Sequence, residues 1–156
     1  VTVPVIDGKV SLYNFSGNTD LVADVAGYYS ATGSVFLPTG PYRVMDSRYG
    51  LGGTNGPFKR GYSSATPLNS WKYGVPPFGV TALALNVIAT NATTGGYAAV
   101  LPDRPWTPTS SNLNFSQGQT IANAVVTSST GGLHFYKDLA GSVDLIADLA
   151  GYFTAN

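Results

Sequence analysis

Apolar and polar residues alternate with a period of two along most of this chain, and no stretch sustains the 3.6-residue period of a helix. Val80–Thr90 reads as a long strand, apolar on nearly both faces, as suits the middle of a sandwich. Residues 96–101 follow after a turn at residues 91–95 and stop at Pro102. Asn112-Leu113-Asn114-Phe115 alternates strictly, which turns Leu113 and Phe115 inward. Residues 121–127, 133–136 and 143–153 complete a run of short strands, and Gly or Pro punctuates almost every gap. The pattern predicts an all-β chain folded as an antiparallel β-sandwich, jelly-roll or Ig-like, with a small β-barrel as the alternative.

Residues 49–79 behave differently, being rich in Gly, Ser and Pro while holding Phe58, Tyr62, Trp71, Tyr73 and Phe78. A connection of that length is usually functional or disordered. Its aromatic content argues against plain disorder.

Self-similarity is the most informative feature. Asp20-Leu21-Val22-Ala23-Asp24-Val25-Ala26-Gly27-Tyr28-Tyr29 recurs as Asp144-Leu145-Ile146-Ala147-Asp148-Leu149-Ala150-Gly151-Tyr152-Phe153, and every difference swaps like apolar or aromatic residues. Upstream, Gly8-Lys9-Val10-Ser11-Leu12-Tyr13 matches Gly131-Gly132-Leu133-His134-Phe135-Tyr136 more loosely, and Gly17-Asn18-Thr19 matches Gly141-Ser142-Val143. Residues 1–30 therefore read as an N-terminal β-hairpin resembling the end of a preceding repeat, and residues 34–156 as a complete sandwich module. An isolated two-stranded hairpin is marginal in water. The N-terminal segment is expected to pack into something, either this molecule's core or a neighbour.

Composition narrows the function. Eight Lys+Arg balance eight Asp+Glu, and charged residues are only 10% of the chain, against roughly 25% in average domains. A neutral chain with no basic run lacks the footprint of a nucleic-acid binder. No apolar stretch approaches the roughly 20 residues of a spanning helix, so membrane insertion is not expected. Cysteine is absent, which excludes disulfides and thiolate chemistry. Abundant Gly, Pro and Tyr with few Lys or Glu suggest an extracellular or cell-surface β-module.

Catalytic signatures are sparse. His134 is the single histidine, and alternation in Leu133-His134-Phe135 turns it outward. No Gly-x-Ser-x-Gly elbow, phosphate loop or His-Glu-x-x-His is present. Asp20 and Asp24, like Asp144 and Asp148, share a strand face about 13 Å apart, beyond the roughly 5 to 9.5 Å between glycosidase carboxylates. Arg43, Asp46 and Arg48 supply partners, so structural ion pairs among Arg43, Asp46, Arg48, Asp24 and Asp148 are expected. No cofactor is expected. A calcium site would need further oxygens, for which Asp103 and Asp138 are available.

Pro41-Tyr42-Arg43-Val44-Met45-Asp46-Ser47-Arg48, Ala84-Leu85-Asn86-Val87, Ser111-Asn112-Leu113-Asn114-Phe115 and the closing Asp144 to Phe153 motif occur in that order. Together they resemble a repeat module of secreted actinobacterial proteins, over about residues 34–153. The resemblance implies tandem modules or modules beside hydrolase domains, in an accessory, surface or binding role. It carries no established catalytic residues.

Three roles follow as expectations. The first is a non-catalytic extracellular accessory domain that binds neutral glycan through the loop aromatics Trp71, Tyr73, Tyr62 and Trp106. The second is a structural subunit of an array or filament, joined to neighbouring copies by strand addition through residues 1–29. The third and least favoured is a carboxylate-dependent hydrolase using Asp24 and Asp148.

Overall fold

The computed structural model describes residues 2–61, 63–68, 71–102, 108–129 and 132–155. Among them are nine strands: β1 Val35–Asp46, β2 Phe58–Lys59, β3 Ser63–Pro67, β4 Val80–Thr90, β5 Gly96–Leu101, β6 Leu113–Phe115, β7 Ile121–Ser128, β8 Gly132–Lys137 and β9 Ser142–Thr154. Short 3-10 turns at Ser47–Tyr49 and Trp71–Tyr73 are the only helical pieces among the described residues. None of these is long and apolar enough to cross a membrane.

The strands form two antiparallel sheets packed as a β-sandwich. One runs β1-β9-β4-β7, with β2 adding to β9; the other runs β3-β8-β5-β6. β4 and β9 are both interior strands, and β4 pairs with β9 from Val80–Thr154 to Thr90–Asp144. Only one face of β4 is buried, that of Leu83, Leu85, Val87 and Ala89, while Ala82, Ala84 and Ile88 on the other are partly exposed.

Alternation then builds the core. Leu83, Leu85, Val87 and Ala89 of β4, with Val143, Leu145, Ala147 and Leu149 of β9, face Leu133 and Phe135 of β8, Leu113 and Phe115 of β6, and Ala98 and Val100 of β5. Each large apolar side chain so buried contributes roughly 1.5–3 kcal/mol. A smaller cluster of Ala99, Leu101 and Tyr136, with Tyr97 against it, covers the far face of the second sheet.

Within the aromatic-rich stretch 49–79 lie β2, β3 and the second 3-10 turn. Phe58, Leu68 and Val75 from it join the main core. β3 is an edge strand, so Pro67 at its end disrupts no interior ladder.

The N-terminal segment is the exception. Of the hairpin expected over residues 1–30, the structure has a tight turn in which Ile6 and Lys9 exchange hydrogen bonds of 3.0 and 2.9 Å. Asp7 and Gly8 both adopt positive φ there, the combination a type I′ turn demands. Residues 10–34 contain no strand.

Candidate functional site

Two features stand out on this scaffold: a charge cluster where β1 meets β9, and the N-terminal segment.

The cluster begins with register. Arg43 lies opposite Asp148 in the β1–β9 ladder, and Asp46 opposite Ile146. Arg43 Nε and Nη2 donate to the two oxygens of Asp148 at 2.8 and 3.1 Å, a bidentate fork. Arg43 is 43% exposed and Asp148 21%, so water screens the pair and it contributes at most about 1 kcal/mol. The same fork raises the Arg43 pKa above its ordinary value, first through the Asp148 hydrogen bond.

Asp46 is buried and caps the 3-10 turn that follows it. Its Oδ1 accepts from the Arg48 backbone N–H and Nε, while its Oδ2 accepts from Arg48 Nη2 at 2.8 Å and Arg43 Nη1 at 3.4 Å. The Arg48 hydrogen bond is the main cause holding the Asp46 carboxyl below the usual carboxylate range, against the opposing effect of burial. The Arg48 guanidinium, its own pKa raised chiefly by that bond, also lies 5.1 Å from the Tyr49 ring centroid.

Ser47 extends the network inward. Its buried Oγ donates to Asp144 Oδ1 at 2.8 Å and accepts from the Leu145 N–H at 3.1 Å. Asn91, at positive φ in the β4–β5 turn, donates to the other Asp144 oxygen at 3.0 Å. Every carboxylate oxygen of Asp46, Asp144 and Asp148 therefore has an internal donor. Their chemistry is that of a clamp holding the end of β1 against β9.

Asp24 does not join this clamp. It lies exposed in the N-terminal segment and has no ion-pair partner among the described residues, because Arg43, the only arginine in register with its duplicate, is already taken by Asp148. The expectation of a structural ion pair at Asp24 is corrected accordingly.

Of the four loop aromatics, Tyr73 packs half-buried against the main core, with Lys72 Nζ 5.3 Å from its ring centroid. Trp71 has its backbone in the 3-10 turn; its side chain, with Tyr62 and Trp106, lies outside the described residues. Asp103 also lies outside them. Among the described residues no three His, Asp or Glu side chains gather as a metal would require.

Sequence reasoning missed Lys137. Its side chain is wholly buried, and Nζ donates to the carbonyls of Asp138, Leu139 and Ala140 at 2.5, 3.0 and 2.8 Å, stitching the β8–β9 turn. Burial pushes its pKa down, with Asp138 pulling weakly the other way. A lysine at a strand end reads as a solvated charge, so no sequence signal marks it.

The N-terminal segment inverts normal burial. Val3, Val5, Ile6, Val10, Leu12, Tyr13, Phe15, Leu21, Val22, Val25, Tyr28 and Tyr29 are between 53% and 89% exposed. Soluble chains rarely leave contiguous apolar surface of that kind uncovered without an interaction to make.

No family model, curated protein or solved structure matches this chain.

Proposed function

We propose that this chain is a non-catalytic extracellular building module: a β-sandwich that joins neighbouring modules through its N-terminal segment and serves as a structural or cell-surface element. The observation that carries the reading is the row of exposed apolar side chains from Val3 to Tyr29, attached to a sandwich whose own core is complete without them. Three things support it further. Of the two carboxylates a hydrolase would use, Asp148 is held by the Arg43 fork and Asp24 lies apart from it on the exposed N-terminal segment. The charge-poor composition suits packing against another neutral β-module. The motif order resembles tandem modules of secreted proteins.

Glycan binding is the role the sequence puts first, but Tyr73, one of its four aromatics, packs half-buried against the core. Assembly is preferred because its observation is direct.

Deleting residues 1–29 tests the proposal. The full chain is expected to associate with rising concentration in light scattering, and the deleted chain to be a monomer with an unchanged melting temperature. A full chain that stays monomeric at every concentration, and behaves as the deletion does, would overturn it.

A further inference from the structure

The duplicated motif has a physical rationale in only one of its two places. In β9 each unusual residue answers a neighbour. A Cβ on Gly151 would lie 2.6 Å from the Leu37 carbonyl oxygen and from the Phe36 ring, so only glycine fits. Asp144 is held by Ser47 and Asn91, and Asp148 by Arg43. Leu145, Ala147 and Leu149 are fully buried. Gly141 turns into the strand at positive φ, where a Cβ would meet Thr94 Oγ1.

The N-terminal segment repeats all of these as Gly27, Asp20, Asp24, Leu21, Ala23, Val25 and Gly17, yet apart from Gly17, whose φ is again positive, none is needed where it lies. Gly27 has nothing within 4 Å of a Cβ. The carboxylates of Asp20 and Asp24 have no donor among the described residues. The likeness extends one strand upstream, with Val10 and Leu12 at the positions of buried Leu133 and Phe135. Even the turn is similar: Asn14 Nδ2 donates to the Gly17 carbonyl at 2.8 Å, as Lys137 does to the turn carbonyls after β8.

A glycine and two aspartates in the β9 spacing fit a β9 slot and have no purpose on a plain sheet edge. This chain's own slot, between β1 and β4, is filled by β9. We propose that residues 8–29 are a second closing hairpin that takes the β8–β9 position of a second copy of this sandwich in place of that copy's own β8 and β9. There an Arg43-type guanidinium receives Asp24, a Ser47-type hydroxyl and Asn91-type amide receive Asp20, and the close approach over Phe36 and Leu37 admits Gly27. Residues 30–34 then join that neighbour directly to β1, so successive sandwiches sit close together. The inference rests on the assembly reading and specifies its partner and geometry.

The test uses full-length chains. An acceptor carries Asp148→Ala and Gly151→Val, which disable its own β9, together with Asp24→Ala and Gly27→Val, which disable its own N-terminal copy. The donor is the unaltered chain. The chain has no cysteine, and Tyr152 pairs with Leu37; Tyr28→Cys in the donor and Leu37→Cys in the acceptor therefore report seating by disulfide formation. A one-to-one complex with that disulfide is expected, weakened about tenfold or more when the donor carries Asp24→Ala and Gly27→Val. Should the acceptor not fold alone, restoration of its folded signal by the donor is the readout. In a second measurement, Asp148→Ala with Gly151→Val must be more stable with the N-terminal copy intact than with it disabled. Association that needs residues 1–29 but ignores Asp24 and Gly27 overturns the slot and leaves assembly by edge addition standing. Absence of any complex from a chain that is itself monomeric overturns both.

Discussion

Ser47→Ala removes one buried oxygen and leaves every carbon in place. The hydroxyl makes two hydrogen bonds that bridge the end of β1 to β9, one to the Asp144 carboxylate and one from the Leu145 N–H. The first is charge-assisted, a class that contributes roughly 1.5–3 kcal/mol. The second, once lost, leaves a buried N–H near the start of an interior strand, at about 1–3 kcal/mol for an unsatisfied group. Asp144 keeps its Asn91 bond, so the carboxylate is not orphaned and the low end of the first range applies. A total of about 2.5–4.5 kcal/mol follows, or a fall in melting temperature of roughly 8–22 °C for an ordered region of this size. Urea unfolding followed by tryptophan fluorescence measures it. A double-mutant cycle with Asn91→Ala adds a stricter requirement: the two losses must exceed their simple sum, because together they strip both donors from one carboxylate. A loss below about 0.5 kcal/mol, within the range of ordinary surface substitutions, or strict additivity with Asn91→Ala, would refute the clamp.

Asp46→Asn should flatten the acid limb of stability. Because the folded carboxyl is held below its ordinary value, its contribution is complete above about pH 4 and drains as pH falls through the lower folded value; urea midpoints at pH 7, 4 and 3 that fall equally in both proteins would contradict this. Lys137→Met should cost about 2–3 kcal/mol, since it leaves the carbonyls of Asp138 and Leu139 without the donor they have now, and a neutral result by thermal unfolding would show that water replaces the ammonium. Thr54→Val should be neutral or stabilising by up to about 1 kcal/mol, because the buried Thr54 hydroxyl has no hydrogen-bond partner among the described residues; a clear loss in calorimetry would contradict this.

Period-two alternation made β4 to β9 legible, since each has at least one face in the core. β1 lacks that signal, because Pro38, Gly40 and Pro41 interrupt it and its first nine residues are not buried. It exists through pairing with β9, and that pairing shifts register between Pro38 and Tyr42 and again between Arg43 and Met45. β3 is a Ser-rich edge strand with almost no apolar signature of its own. The arginine–aspartate cluster was legible as a set of residue types, but the sequence put Asp24 and Asp148 on equal terms. Only register distinguishes them. Ser47 and Lys137 escaped because a serine after a strand and a lysine at a strand end look solvated, and their burial depends on contacts 97 and 98 residues away for the one and on the turn they close for the other.

Residues 20–29 and 144–153 amount to an internal control on what makes a strand. The two differ only by conservative swaps, so their intrinsic β preference is nearly equal, yet one is an interior strand and the other belongs to no sheet. Propensity therefore does not decide; the neighbours do. β9 finds hydrogen-bonding partners on both sides, a core for Leu145 and Leu149, and donors for Asp144 and Asp148. Residues 20–29 find none of these, and a lone segment cannot offset the entropy of becoming extended. On the assembly proposed above, the partners that residues 20–29 lack here are those of a second sandwich. Supplying a slot with an arginine, a hydroxyl and room for a glycine should then convert it into what its duplicate already is.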